Sequence, residues 1–170
     1  MCGRAYETYT EEELELKYRW EKIKRKSLNL KPNFNLSPTQ NSPVVFIKND
    51  QLTIEPMRWG LIPVWAKSVK EAAKYSLINA RGEEITEKRT YKSAFEKRRC
   101  IVPLSGFFEW KRLEGAPKQP YAIFLKNEPI MSVAGVYEVW SGQKDSREDS
   151  DEKDQQIVTF SMITTSANSF

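Results

Sequence analysis

Short extended runs separated by turn-forming residues constrain this chain more than anything else in it. Val44–Ile47, Leu52–Trp59, Cys100–Leu104, Gly106–Trp110, Tyr121–Leu125, Ile130–Trp140 and Ile157–Thr165 are rich in β-branched and aromatic residues. Runs of this kind read as strands rather than buried helices. Pro38 and Pro43 deny a helix to the segment from Phe34 to Ile47, and Ser76–Arg81 also reads as extended. Helical signals are fewer. Thr10 and Glu13 form a Thr-x-x-Glu capping box ahead of a helix predicted over Glu11–Lys26, with Leu14, Leu16, Trp20 and Ile23 as its buried side. Ser68 caps a short helix through Lys74, and Thr86–Lys97 holds one or two more. Together these predict an α+β fold: a mixed, strongly curled or barrel-like β-sheet core with a few short flanking helices.

The 170 residues suit a single domain, and 5 Trp, 7 Tyr and 8 Phe supply material for its core. No apolar run reaches the ~20 residues of a membrane span. The charges from Glu7 to Glu13 speak against a signal peptide. Two cysteines make no disulfide framework, so a cytoplasmic protein is expected, nucleoid-associated if the source is bacterial. With two cysteines and no histidine, a structural zinc site is not expected, and no motif calls for another metal or a cofactor. The net charge of +4 is uneven. Ser141–Gln156 carries −3 and reads as an acidic low-complexity loop, which leaves +7 on the rest. A basic body suits a polyanionic partner, and it equally suits plain solubility.

Several residues could carry chemistry. Cys2 follows Met1 directly. Removal of Met1 would leave an α-amine and a thiol on adjacent carbons, a pair no interior residue can offer. Glu109 lies between Phe108 and Trp110. If buried there, desolvation would raise its pKa toward the range useful for general acid–base work. Strand alternation would equally well turn it to solvent. Asn79 can hold a carbonyl or a sugar hydroxyl, or simply sit in a turn. Arg81, two residues on, shares its strand face. Arg4 and Arg81 suit phosphates, or surface ion pairs. Of Trp59 and Trp65, the latter, beyond Pro63, is the better platform for stacking an unpaired base. Cys100 reads as a plain buried thiol.

In order along the chain, MCGR, FNLSPTQ, RWGLIPVWA, LINARGE, RRCIVPLSGFFEW and ITTSAN resemble the blocks of the SRAP family, the SOS response-associated peptidase or abasic-site processing proteins. The resemblance spans Met1 to Asn168. It implies one SRAP domain over residues 1–170, apparently without its C-terminal part. It implies a DNA-damage protein, active as a monomer, that binds single-stranded DNA and crosslinks covalently to abasic sites. Peptidase activity, through removal of Met1, and lyase activity belong to the same expectation. Carried onto this sequence, it makes Cys2 the nucleophile and Asn79 and Glu109 catalytic partners. It puts Arg4, Asn35, Pro38, Trp65 and Arg81 against the DNA. The family also has a catalytic histidine in a block soon after ITTSAN, which this sequence does not contain, and often a second aromatic after Trp65, where this chain has Ala66. Two readings of other classes stand beside it: an N-terminal-nucleophile cysteine amidohydrolase or peptidase, and a non-covalent single-stranded nucleic-acid binding module.

Overall fold

Ten strands and three short helices occupy the described residues, 3–19, 28–142 and 156–166, of the computed structural model. In chain order they are β1 (Ala5–Glu7), α1 (Glu11–Tyr18), β2 (Asn33–Leu36), β3 (Asn41–Lys48), β4 (Gln51–Trp59), α2 (Val69–Ala73), β5 (Asn79–Arg81), α3 (Arg89–Lys97), β6 (Arg99–Leu104), β7 (Gly106–Leu113), β8 (Ala116–Ile123), β9 (Met131–Ser141) and β10 (Gln156–Thr164). Cys2, Trp20, Ile23, Asn168 and most of the acidic segment lie outside the described residues.

The strands order as β4-β3-β6-β9-β10, and β10 closes the ring by pairing in parallel with β4, Thr159 beside Arg58 and Phe160 beside Trp59. The result is a closed five-stranded mixed barrel. β5 extends it as a short parallel strand on β10. A second, antiparallel sheet, β2-β1-β7-β8, lies against the barrel. Ala5, Leu36 and Phe107 from that sheet pack with Phe46, Met57, Trp59, Val102, Phe160 and Met162. The curled sheet expected from the sequence is therefore present, with a second layer on top.

Local sequence explains most of these elements. Ser42–Phe46 of β3 is buried at five consecutive positions because both of its faces are covered. Val44 and Phe46 enter the main core, while Val45 packs with Tyr9, Leu14, Ile54 and Ile130. Pro43 sits directly opposite Pro56. Neither has an N–H to give, so the two share a non-hydrogen-bonded position of the ladder at no cost. The β3–β4 hairpin turns through Asn49 (φ 51°) and Asp50 (φ 58°), the left-handed pair a type I′ turn requires.

Three expectations need correction. α1 has its capping box, but it ends at Tyr18, where Arg19 takes a left-handed conformation (φ 51°). Of the side proposed as buried, Leu14 is fully enclosed whereas Leu16 is 83% exposed. β1 and β2 are strands that the sequence pattern does not predict. They are too short to register as patterns and exist through their neighbours.

Gly106 shows how closely the second sheet is built. A Cβ there would lie 2.5 Å from the Ile123 carbonyl oxygen and 2.5 Å from the Tyr6 hydroxyl, whose ring folds across it. Gly135 of β9, between β6 and β10, leaves only 3.0 Å to Cys100 Sγ and 3.0 Å to the Ser161 carbonyl. We expect Gly106→Ala to destabilise the fold by about 1–3 kcal/mol, as overpacking does. Urea denaturation would report it, and an unchanged midpoint would contradict the packing described.

Candidate functional site

β1 delivers the N-terminal chain to β7. Ala5 pairs with Phe107 and Tyr6 with Gly106, and the Phe108 N–H donates to the Arg4 carbonyl at 2.9 Å. The antiparallel run therefore leads from Ala5 through Arg4 in the direction of Glu109. Cys2 itself lies outside the described residues. The Arg4 guanidinium donates to Asn35 Oδ1 at 2.7 Å, on the exposed side of β2 opposite the buried Leu36. Pro38 occupies the second position of a turn in which the Gln40 N–H donates to the Ser37 carbonyl. The next residue, Thr39, has φ 77°, an uncommon value for a β-branched residue, and its N–H donates to the Trp59 carbonyl at 2.8 Å.

Glu109 is half-buried on β7, opposite Tyr121 of β8, and Trp110 is 41% exposed. On β5, Ala80 is fully buried between the half-buried Asn79 and the exposed Arg81, so the two polar residues do share a face. The Tyr91 hydroxyl donates to the Asn79 carbonyl at 3.1 Å and anchors that strand. Ile78, next to Asn79, and Phe107, two residues from Glu109, pack against one core cluster. Among the described residues, no group of three or more Cys, Asp or Glu is arranged to hold a metal.

Trp59 is fully buried and its indole N–H donates to the Ile78 carbonyl, so it belongs to the core. Trp65 is 40% exposed and meets Tyr75 edge to face, ring centroids 5.4 Å apart. Sequence reasoning missed Tyr75, whose partner Trp65 lies ten residues earlier, across α2. Ala66 stands where the SRAP resemblance often has a second aromatic. Ala66 is buried, packs with Ile62, Ala72 and Trp140, and its carbonyl accepts the Trp140 indole N–H at 2.9 Å. The exposed second ring beside Trp65 is Tyr75.

Residues 1–170 match the family described as SOS response associated peptidase, SRAP. The chain belongs to the SRAP family. It is 37% identical over 139 residues, 82% of its length, to the abasic site processing protein YoaM of Bacillus subtilis, covering 56% of that protein. It is 40% identical over 134 residues to the abasic site processing protein YMR114C of Saccharomyces cerevisiae, covering 79% of this chain and 32% of that one. A crystal structure of a Bacteroides thetaiotaomicron protein superposes with a TM-score of 0.79 at 31% identity, covering 98% of this chain and 69% of that one. The chain spans about half the length of its bacterial curated relatives.

This SRAP chain carries a further titratable group that its sequence did not reveal. Glu7, at the end of β1, is 8% exposed and accepts a hydrogen bond from the Ser42 hydroxyl. Burial pushes its carboxyl up to about 7, against the pull of that hydrogen bond. It opens on a cleft of about 190 Å³ that Lys31, Asn33 and Asn41 also line. The nearby Tyr9 hydroxyl is raised too, by burial first and then by the Glu7 charge. A carboxyl raised on folding binds its proton more tightly in the native state. The contribution of Glu7 to stability is therefore fully present below its ordinary value, near 4.5, and is lost as pH rises through about 7. The full loss is about 3 kcal/mol. We expect Glu7→Gln to flatten this slope and to be the more stable protein at pH 8. Denaturation midpoints across pH 4.5–8 would test it, and parallel curves for the two proteins would refute it.

Proposed function

We propose that this chain processes abasic sites in single-stranded DNA by covalent capture at a mature N-terminal Cys2. The observation that carries the reading is the pairing of β1 with β7, which leads the N-terminal chain through Arg4 in the direction of Glu109. The relatives named for abasic-site processing support it, as do Asn79 and Arg81 on one face of β5 and the exposed Trp65–Tyr75 pair.

The chemistry follows from the functional groups. An abasic deoxyribose opens to an aldehyde. An α-amine with a reference pKa of about 7.7–8.0 is partly neutral near pH 7 and attacks that carbon. The carbinolamine loses water to give an imine. The Cys2 thiol then adds to the imine carbon and its proton goes to nitrogen, closing a five-membered thiazolidine. The second step is intramolecular, so proximity favours it. A lysine imine has no second nucleophile and hydrolyses more readily. Glu109 exchanges protons during sugar opening and loss of water. With no histidine in the given sequence, Glu109 is taken as the acid–base group that works beside the α-amine. Asn79 holds the opened sugar, and Arg4, Asn35, Pro38, Arg81 and Trp65 hold the strand beside it. Met1 leaves either by the chain's own action or through a methionine aminopeptidase. Cys100 takes no part. It is buried and its thiol is pushed up to about 12.

Intact-mass measurement before and after mixing with abasic single-stranded DNA tests the reading. The protein should begin at Cys2 and gain the mass of the oligonucleotide less one water. Active protein that retains Met1 overturns the mechanism. Cys2→Ala should lose the stable crosslink, whereas Cys100→Ala should keep it. Glu109→Gln should slow crosslinking by about 10²-fold or more. A wild-type rate in that variant would remove Glu109 from the chemistry.

A further inference from the structure

The outer face of the second sheet combines aromatic rings with positive charge, and neither the barrel nor the reacting groups account for it. Tyr6 and Phe108 lie with ring centroids 5.4 Å apart at 45°, and Phe108 and Trp110 6.5 Å apart at 49°. The three rings form a row, because Tyr6 stands across from Gly106, and Phe108 and Trp110 follow Gly106 at two-residue intervals along β7. Arg4 lies across from Phe108, the middle ring of the row, and its carbonyl takes the Phe108 N–H. Beyond Trp110 the β7–β8 register shifts between Lys111 and Leu113, and this irregular end of the hairpin carries the exposed Arg112 and the exposed Lys118, two residues before Pro120, the cross-strand partner of Trp110. The acidic residues of β1 and β7, Glu7 and Glu109, alternate onto the opposite face. Among the described residues of β7, β8 and the turn between them, Glu114 alone brings negative charge to this end of the sheet. A face of rings with cations and no carboxylates between them is complementary to an unpaired polyanion with flat bases.

We propose that this face is a track for the single strand running away from the lesion, with Tyr6, Phe108 and Trp110 stacking bases and Arg112 and Lys118 meeting phosphates. The proposal rests on the reading of the chain as a binder of unpaired DNA. A two-residue step along a strand is about 6.7 Å, twice the ~3.4 Å between stacked bases in DNA. Successive bases would therefore be drawn apart, each lying over its own ring. Such stacking tolerates any sequence, because every base has a π-face.

The test compares unmodified oligothymidylates of five and twenty nucleotides by fluorescence anisotropy. Wild-type protein should bind the longer strand more tightly than site counting alone explains. Trp110→Ala should weaken binding of the twenty-mer about tenfold, and Trp110→Phe, which keeps a ring, should restore most of it. The double variant Arg112→Glu, Lys118→Glu should lower the slope of log affinity against log salt by about 1.4, or ~0.7 for each phosphate left without its cation. Circular dichroism melting of each variant separates lost folding from lost binding. If wild-type protein binds and crosslinks DNA while the folded variants match it at both lengths and all salt concentrations, the track is overturned and the proposed function survives. If wild-type protein binds no unpaired DNA, both fall.

Discussion

The fold depends on the parallel contact between β10 and β4. β10 pairs with three strands at once, antiparallel to β9 and parallel to β4 and β5. Its contact with β4 turns an open sheet with two edges into a barrel with none. Trp59 and Phe160 meet at that seam with their rings nearly parallel, both fully buried. The Gly60 N–H completes the seam by donating to the Phe160 carbonyl. The closing strands are far apart in sequence, so the seam forms against a large loop-closure entropy and must be held by burial. The core residues that converge on it provide that burial.

Scaffold and chemistry then separate. The barrel supplies rigidity, and the groups assigned to the chemistry sit on strands attached to its outside: Arg4 just before the three-residue β1, Asn79 and Arg81 on the three-residue β5, Glu109 on the eight-residue β7. Short strands define position only when something stiff lies beneath them. Here Ala5, Phe107 and Ile78 each run into the same core, so three thin elements share one foundation.

What the sequence disclosed follows the reach of each signal. Val44–Ile47, Leu52–Trp59 and Ile130–Trp140 are legible because a strand's pattern is local. The capping box of Thr10 and Glu13 and the Ser68 cap are legible for the same reason. The shared face of Asn79 and Arg81 follows from alternation, and the exposure of Trp65 from its place in a proline-containing loop. Features made by contact between distant segments were not legible. Glu7 is buried because Ser42 of another strand covers it. Ala66 is enclosed because Trp140 packs on it. Tyr75 acquires its meaning only from Trp65. β1 itself is invisible as a pattern, since three residues carry no period.

The burial of Ala5 bears on how this chain can change over evolutionary time. Ala5 has no exposed surface and sits at the junction of the two layers, directly behind Arg4. Any larger side chain there would lift the strand off the barrel and carry the N-terminal residues with it. A position with no chemistry of its own would then be under selection as severe as that on a nucleophile. Its alanine would persist among descendants for a steric reason, and a survey of invariant residues alone would mistake it for a participant in the reaction.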